Sequence, residues 1–144
     1  MSKADDAVAM FKTGFNCSQS VLAPFGPELG LERELCLRVA CAFGGGMGRQ
    51  GRTCGAVSGA LMVIGLKHGQ ISLDDPEAKL RTYALAKKLM DAFVARNKSP
   101  DCRDLLGCDL STEEGLKKAM AMNFHTEICP KFVKDSAEIL EQIL

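Results

Sequence analysis

Seven of the 14 glycines in this chain fall between positions 44 and 59, in GGGMGRQGRTCGAVSG, and no other stretch limits the possible folds as much. Each glycine loses more chain entropy on ordering than any other residue, so such a run reads as a turn rather than the interior of a helix or strand. The turn carries Arg49 and Arg52 into Thr53, a good N-cap residue. The pattern predicts a helix over Thr53–His68, with Cys54 in its first turn and Gly69 as its stop. Its small residues, Gly55, Ala56, Ser58, Gly59 and Ala60, let other backbone pack close. A thiol in that first turn faces unpaired N–H groups and the positive end of the helix dipole, with two guanidinium groups nearby. Those conditions lower a cysteine pKa and favour the thiolate, the form that attacks disulfides and binds metals.

The rest of the chain is written in helix punctuation. Residues 3–13 form an amphipathic helix ended by Gly14, and Asn16 caps a second through Cys17, Val21 and Leu22, stopping around Pro24 and Gly26. Leu35, Val39 and Ala42 mark a third from Glu32 to Phe43, where the glycine run begins. Asp74-Asp75-Pro76-Glu77 opens a long helix to about Asn97, with Leu85, Leu89 and Phe93 as one stripe and Ala86, Met90 and Val94 beside it. Ser99-Pro100-Asp101 breaks that helix and leads into a short turn through Cys102, Leu105 and Leu106. Ser111 with Glu114 has the form of a capping box for the next helix. Pro130 sits just inside the start of a last helix, in which Val133, Ala137, Leu140 and Leu144 share a face. No alternating strand pattern occurs. The expectation is an all-α, single-domain bundle over 1–144, with about five to seven helices.

With 18 basic and 18 acidic residues the net charge is +0, poor support for binding nucleic acid or an acidic membrane surface. The longest apolar segment, Ala56 to Leu66, is interrupted by Ser and Gly and is too short to span a bilayer. MSKADDAVAMFKTG has no basic-then-apolar signal pattern, so a cytoplasmic location is expected. Seven cysteines, an odd number, do not suit a structural disulfide framework in that compartment; redox or metal chemistry is the better reading.

The thiols fall into two groups. Cys17 follows Asn16, Cys54 follows Thr53, Cys102 follows Asp101 and Cys129 precedes Pro130, so all of these lie at or beside a predicted helix N-terminus. A helix best tolerates negative charge there. Cys36 and Cys41 fall inside the third helix and Cys108 sits in a loop, and these three read as small packing residues. No C-x-x-C occurs, which removes a thioredoxin-type motif, a zinc ribbon and attached haem.

On GFNCSQSVL, GRTCGAVSGALMVIGL, DCRDLLG and ICPKFV the chain resembles the C_GCAxxG_C_C family of redox-active proteins, over most of its length from about Ala4 onward. The family's name places Gly before its central Cys; here Thr53 precedes Cys54 and Gly55 follows it. The resemblance implies redox activity and favours Cys17, Cys54, Cys102 and Cys129 over the other three thiols.

Other patterns carry less. GMGRQG at positions 46–51 spells G-x-G-x-x-G, but a helix precedes it where a dinucleotide site needs a strand. Arg49 and Arg52 are candidate contacts for an anionic substrate group such as a carboxylate. His125, four residues before Cys129, is a candidate base or ligand; His68 is a C-terminal helix cation, and Met120 and Met122 are core filler. Two functions fit the four cysteines. In the first, Cys54 attacks a disulfide or is oxidised, one of Cys17, Cys102 or Cys129 resolves it, and no cofactor is needed. The partner is then a redox protein or a small thiol or disulfide. In the second, the same four residues bind zinc or an iron–sulfur cluster.

Overall fold

The computed structural model describes residues 2–144, so position 1 of the expected 1–144 unit lies outside the described residues. Eight α-helices of five residues or more follow one another: α1 Lys3–Thr13, α2 Cys17–Phe25, α3 Arg33–Ala40, α4 Gly55–His68, α5 Pro76–Asn97, α6 Cys102–Leu106, α7 Glu113–Ala121 and α8 Cys129–Ile143. The count exceeds five to seven because the Cys102 turn closes into a five-residue helix of its own. Among the described residues there is no strand; the one extended pairing is an isolated bridge between Thr53 and Asp101.

Most helix ends follow local chemistry. Asn16 accepts the Gln19 N–H and donates its own N–H to the Gln19 carboxamide, each at 3.0 Å, so α2 starts on a closed capping box. Asp75 caps α5 by accepting the Ala78 N–H at 3.2 Å, with Pro76 next in line. Three expected boundaries are corrected. Thr53 does not cap α4: it is drawn into extended pairing with Asp101, the helix begins at Gly55, and Cys54 occupies the N-cap position without a side-chain cap. The third helix stops at Ala40 and Cys41–Phe43 form a 3-10 turn, which leaves Cys41 exposed rather than inside a helix. Thr112 rather than Ser111 caps α7, because the Asp109 carboxylate already holds the Ser111 N–H at 2.9 Å.

Helix α4 is the central element, packed by α2, α5 and α8, while α1 closes the far side against α8 and α2. Its residues Gly55 to Ala60, Val63 and Ile64 are all buried, so it is apolar nearly all round. Gly55 and Gly59, one turn apart, face α2. A Cβ on Gly59 would lie 2.7 Å from the Ser18 carbonyl oxygen, so glycine sets how closely α2 and α4 approach. Leu22, Ile64, Leu89, Phe93, Ile139 and Leu140 fill the core, each contributing roughly 1.5–3 kcal/mol by burial. At the seam of α5 and α8, the nearly buried Asp135 accepts hydrogen bonds from Lys131 (2.7 Å), Asn97 (3.1 Å) and Arg96 (3.2 Å). Burial alone would raise its pKa, but these donors outweigh it and hold the carboxyl below its usual 3.8.

The glycine run is a left-handed turn. Gly45, Gly46, Met47, Gly48 and Arg49 take φ of 67°, 68°, 66°, 61° and 64° in succession. Such a turn costs an L-residue with a side chain roughly 1–2 kcal/mol, which glycine escapes and which Met47 and Arg49 carry. The turn is closed by Arg49 N–H to the Gly44 carbonyl (3.1 Å) and Arg52 N–H to the Gly46 carbonyl (3.0 Å).

Candidate functional site: a pocket at four helix starts

Each of the four helix-starting thiols is brought in by a different piece of backbone. Cys17 is the first residue of α2, held by the Asn16 box. Cys54 stands at the N-cap of α4, and its N–H donates to the Pro100 carbonyl at 2.7 Å. That same extended pairing runs on through Cys102 N–H to the Arg52 carbonyl (2.7 Å) and Arg103 N–H to the Gly51 carbonyl (3.1 Å). It lays the start of α6 beside the start of α4, an association that no local pattern announces. Cys129 opens α8 after a left-handed Asn123 and a single turn over Phe124–Glu127.

Cys17, Cys54, Cys102 and Cys129 all line one pocket with a volume of about 60 Å³, room for a few water-sized groups. Phe11, Leu105, Leu106, Leu110 and Phe132 make its wall largely apolar. His125 stands at its edge, stacked on Phe11 with ring centroids 4.1 Å apart. Two glycines are fitted to the sulfurs. A Cβ on Gly55 would lie 2.5 Å from the Cys17 sulfur, and one on Gly46 would lie 2.6 Å from the Cys102 Cβ. Gly55 is therefore the residue whose missing side chain makes room for the Cys17 thiol.

The thiols differ in how they hold charge. The Cys17 pKa is lowered first by its interaction with the Cys54 thiol, and the backbone N–H groups of Gly45, Ser18 and Cys17 itself act in the same direction. Cys54 has one such backbone donor, Ala56 N–H. Of two sulfurs sharing a proton, the one with more donors keeps the charge. The hydrogen bond from Cys54 comes first, burial opposes it, and the backbone donors add to it; together they lower the Cys17 pKa from 9.0 to about 7. Giving its proton to that bond pushes Cys54 well above 9.0, and burial and the neighbouring negative charge push the same way. Burial first, then the Cys17 charge, raises Cys102 to about 12 and raises Cys129 as well. Of the four pocket thiols, Cys17 alone has its pKa lowered, and the other three are raised.

The direction of the shifts favours Cys17 over Cys54 as the more acidic of the pair. Cys54 is not the acidic thiol, because the guanidinium groups expected to help it are elsewhere. Arg49 and Arg52 have exposed side chains and neither lines the pocket. Helix α2 and the left-handed turn supply the stabilising donors instead, and they act on Cys17. Gly45 contributes an N–H from the sequence-distant glycine run, so no signal near Cys17 identified it. Phe11 and Phe132 were also missed, since on their own helices they read as ordinary core.

The remaining cysteines separate. Cys36 is buried and its S–H donates to the Leu31 carbonyl at 3.2 Å; Cys108 is buried and donates to the Leu106 carbonyl at 3.4 Å. Both suit packing. Cys41 does not, being exposed. All seven thiols are free, and no group of three or more His, Cys, Asp or Glu among the described residues is arranged to hold a metal ion. No helix among them is long and apolar enough to cross a membrane.

An all-helical scaffold that gathers four helix-starting thiols in one apolar pocket defines a cysteine-centred protein. The family comparison agrees: the model described as "Putative redox-active protein (C_GCAxxG_C_C)" matches residues 15–143, and the chain belongs to that family. No curated protein and no solved structure matches it significantly.

Proposed function

We propose that the protein is a thiol–disulfide exchange protein in which Cys17 is the attacking thiolate and Cys54 the resolving thiol. The observation that carries this reading is that Cys17, Cys54, Cys102 and Cys129 line one small apolar pocket, in which the Cys17 pKa is lowered and the Cys54 pKa raised. A thiolate of pKa near ambient pH is close to the optimum for exchange, since a lower pKa would sacrifice nucleophilicity.

The chemistry closes without a cofactor. The Cys17 thiolate attacks one sulfur of a disulfide R–S–S–R′; a Cys17–S–S–R bond forms and R′S⁻ leaves. The Cys54 thiol releases its proton and attacks the Cys17 sulfur, so a Cys17–Cys54 disulfide forms and RS⁻ leaves. Two electrons pass to the substrate, and the Cys54 proton with one from water completes the two product thiols. Cys102 and Cys129, protonated in the same pocket, form the second dithiol. An external reductant, a small thiol or a dithiol protein, resets the site.

The test is site-resolved alkylation of the reduced protein across pH, followed by mapping after treatment with a small disulfide. Cys17 should react with a midpoint near pH 7, and a Cys17–Cys54 cross-linked peptide should appear. Stoichiometric zinc, or a brown iron-containing sample from anaerobic purification, with these thiols unreactive, would overturn the reading in favour of a metal centre.

A further inference from the structure

The cysteine pocket adjoins a second space. Asn16, Gly45, Leu110, Phe124 and His125 line both the inner pocket and a wider outer groove, so the two spaces adjoin at these residues. The outer groove measures about 440 Å³ against about 60 Å³ inside. Small-molecule sites run from roughly 300 to 1,000 Å³, so the groove is sized for the body of a ligand and the pocket for its reacting end.

The groove has one charge of fixed sign. Arg49 lines it, no carboxylate lines it, and no carboxylate among the described residues pairs with Arg49. Its stem lies against Gly45, where an added Cβ would meet the Arg49 Cγ at 2.8 Å. Arg49 also holds its place with a φ of 64°, where glycine is cheaper and where the neighbours Gly45, Gly46 and Gly48 are glycine. The left-handed turn therefore serves both spaces: Gly45 lines the cysteine pocket and its N–H lowers the Cys17 pKa, and Arg49, without a carboxylate partner, lines the outer groove.

We infer that the outer groove binds the anionic body of a small thiol or disulfide, carboxylate-bearing, with its sulfur passing His125 to reach Cys17. This rests on the exchange chemistry proposed above and names its substrate class. A guanidinium forms charge-assisted hydrogen bonds with a carboxylate, and its unpaired state leaves that capacity unused within the chain.

The experiment compares three small disulfides of similar size and different charge: dithiodiglycolate (anionic), 2-hydroxyethyl disulfide (neutral) and cystamine (cationic). Each oxidises the reduced full-length protein at low ionic strength, and the rate of Cys17–Cys54 disulfide formation is followed. Taking the ratio of variant to wild type cancels the intrinsic reactivity of each disulfide. Arg49→Gly, which suits the backbone, should slow the anionic disulfide about tenfold, leave the neutral one within about twofold and speed the cationic one. Met47→Gly relieves the same kind of backbone strain outside the groove and should change none of the three ratios. Added salt should shrink the anionic effect. Equal slowing of all three by Arg49→Gly, or no slowing of any, overturns the anionic groove while leaving exchange intact. Failure of all three disulfides to oxidise the wild-type pair overturns both readings together.

Discussion

Two places in this molecule hold negative charge away from water, and they do it by opposite means. At the seam of α5 and α8 the Asp135 carboxylate is held by Lys131, Asn97 and Arg96, side chains that carry two formal positive charges. In the pocket the Cys17 sulfur is held by backbone N–H groups and by a proton borrowed from Cys54, with no cation among its partners. The first charge is matched by neighbours that stay charged across the physiological range, so it is a permanent fastening. The second is matched only by dipoles and a shared proton, so it comes and goes near pH 7. A clamp needs cations; a reactive sulfur needs a balance that can tip.

The contrast is broken most directly by exchanging its two effects. Cys17→Ser should abolish the Cys17–Cys54 disulfide and slow exchange with a small disulfide at pH 7 by at least about tenfold, because burial disfavours ionisation of the other pocket thiols, Cys54, Cys102 and Cys129. Its effect on the urea midpoint should be smaller than that of Asp135→Asn. That second change leaves Arg96 and Lys131 without their carboxylate and should cost about 1–3 kcal/mol in urea unfolding, toward the low end because Lys131 is largely exposed. Its exchange rate should match wild type. If Asp135→Asn slows exchange as much as Cys17→Ser, the two regions are not independent.

A finer probe is Gly55→Ala, which puts a methyl where the Cys17 sulfur sits. The sulfur should move off its donors, the Cys17 alkylation midpoint should climb from about 7 toward 9.0, and exchange at neutral pH should fall by about threefold. An unchanged midpoint would mean that Gly55 is needed only for helix packing.

The smallest effects are in the pH profile of stability. Cys17 is more acidic folded than unfolded, so its contribution is fully present above its unfolded pKa near 9.0 and is lost as pH falls through about 7. Asp135 follows the same rule lower down: its contribution is present above 3.8 and lost as pH falls below that. Cys54, Cys102 and Cys129 have the opposite sign. Their contributions are present below 9.0 and are lost as pH rises toward their folded values, about 12 for Cys102. Urea-unfolding free energy should therefore rise from pH 7 to 9 and fall beyond it. Cys17→Ser should remove the rising limb and leave the acid limb in place.

Much of the scaffold could be read directly from the chain. Gly14, Asn16, Asp75-Pro76 and Asn97 stand where helices were expected to end or begin, because capping and proline placement are satisfied within a few residues. The same locality placed Cys17, Cys54, Cys102 and Cys129 at or next to helix starts, though Cys54 is the cap itself and not first-turn. Where a distant segment competed, local reading failed. Thr53 would cap a helix in isolation, but segment 100–103 offers its backbone a better set of partners. Arg49 and Arg52 are close to Cys54 in sequence, yet neither lines the cysteine pocket: both are exposed, Arg49 along the outer groove.

Helix punctuation and the position of each thiol on its helix were thus decided by neighbouring residues, since hydrogen bonds over three or four positions settle them. Their gathering into one pocket, and the lowering of the Cys17 pKa beside a raised Cys54, were decided only when the chain closed. A sulfur's charge depends on donors within a few ångströms of it, and here those come from Gly45 and Cys54, residues that only folding brings to Cys17.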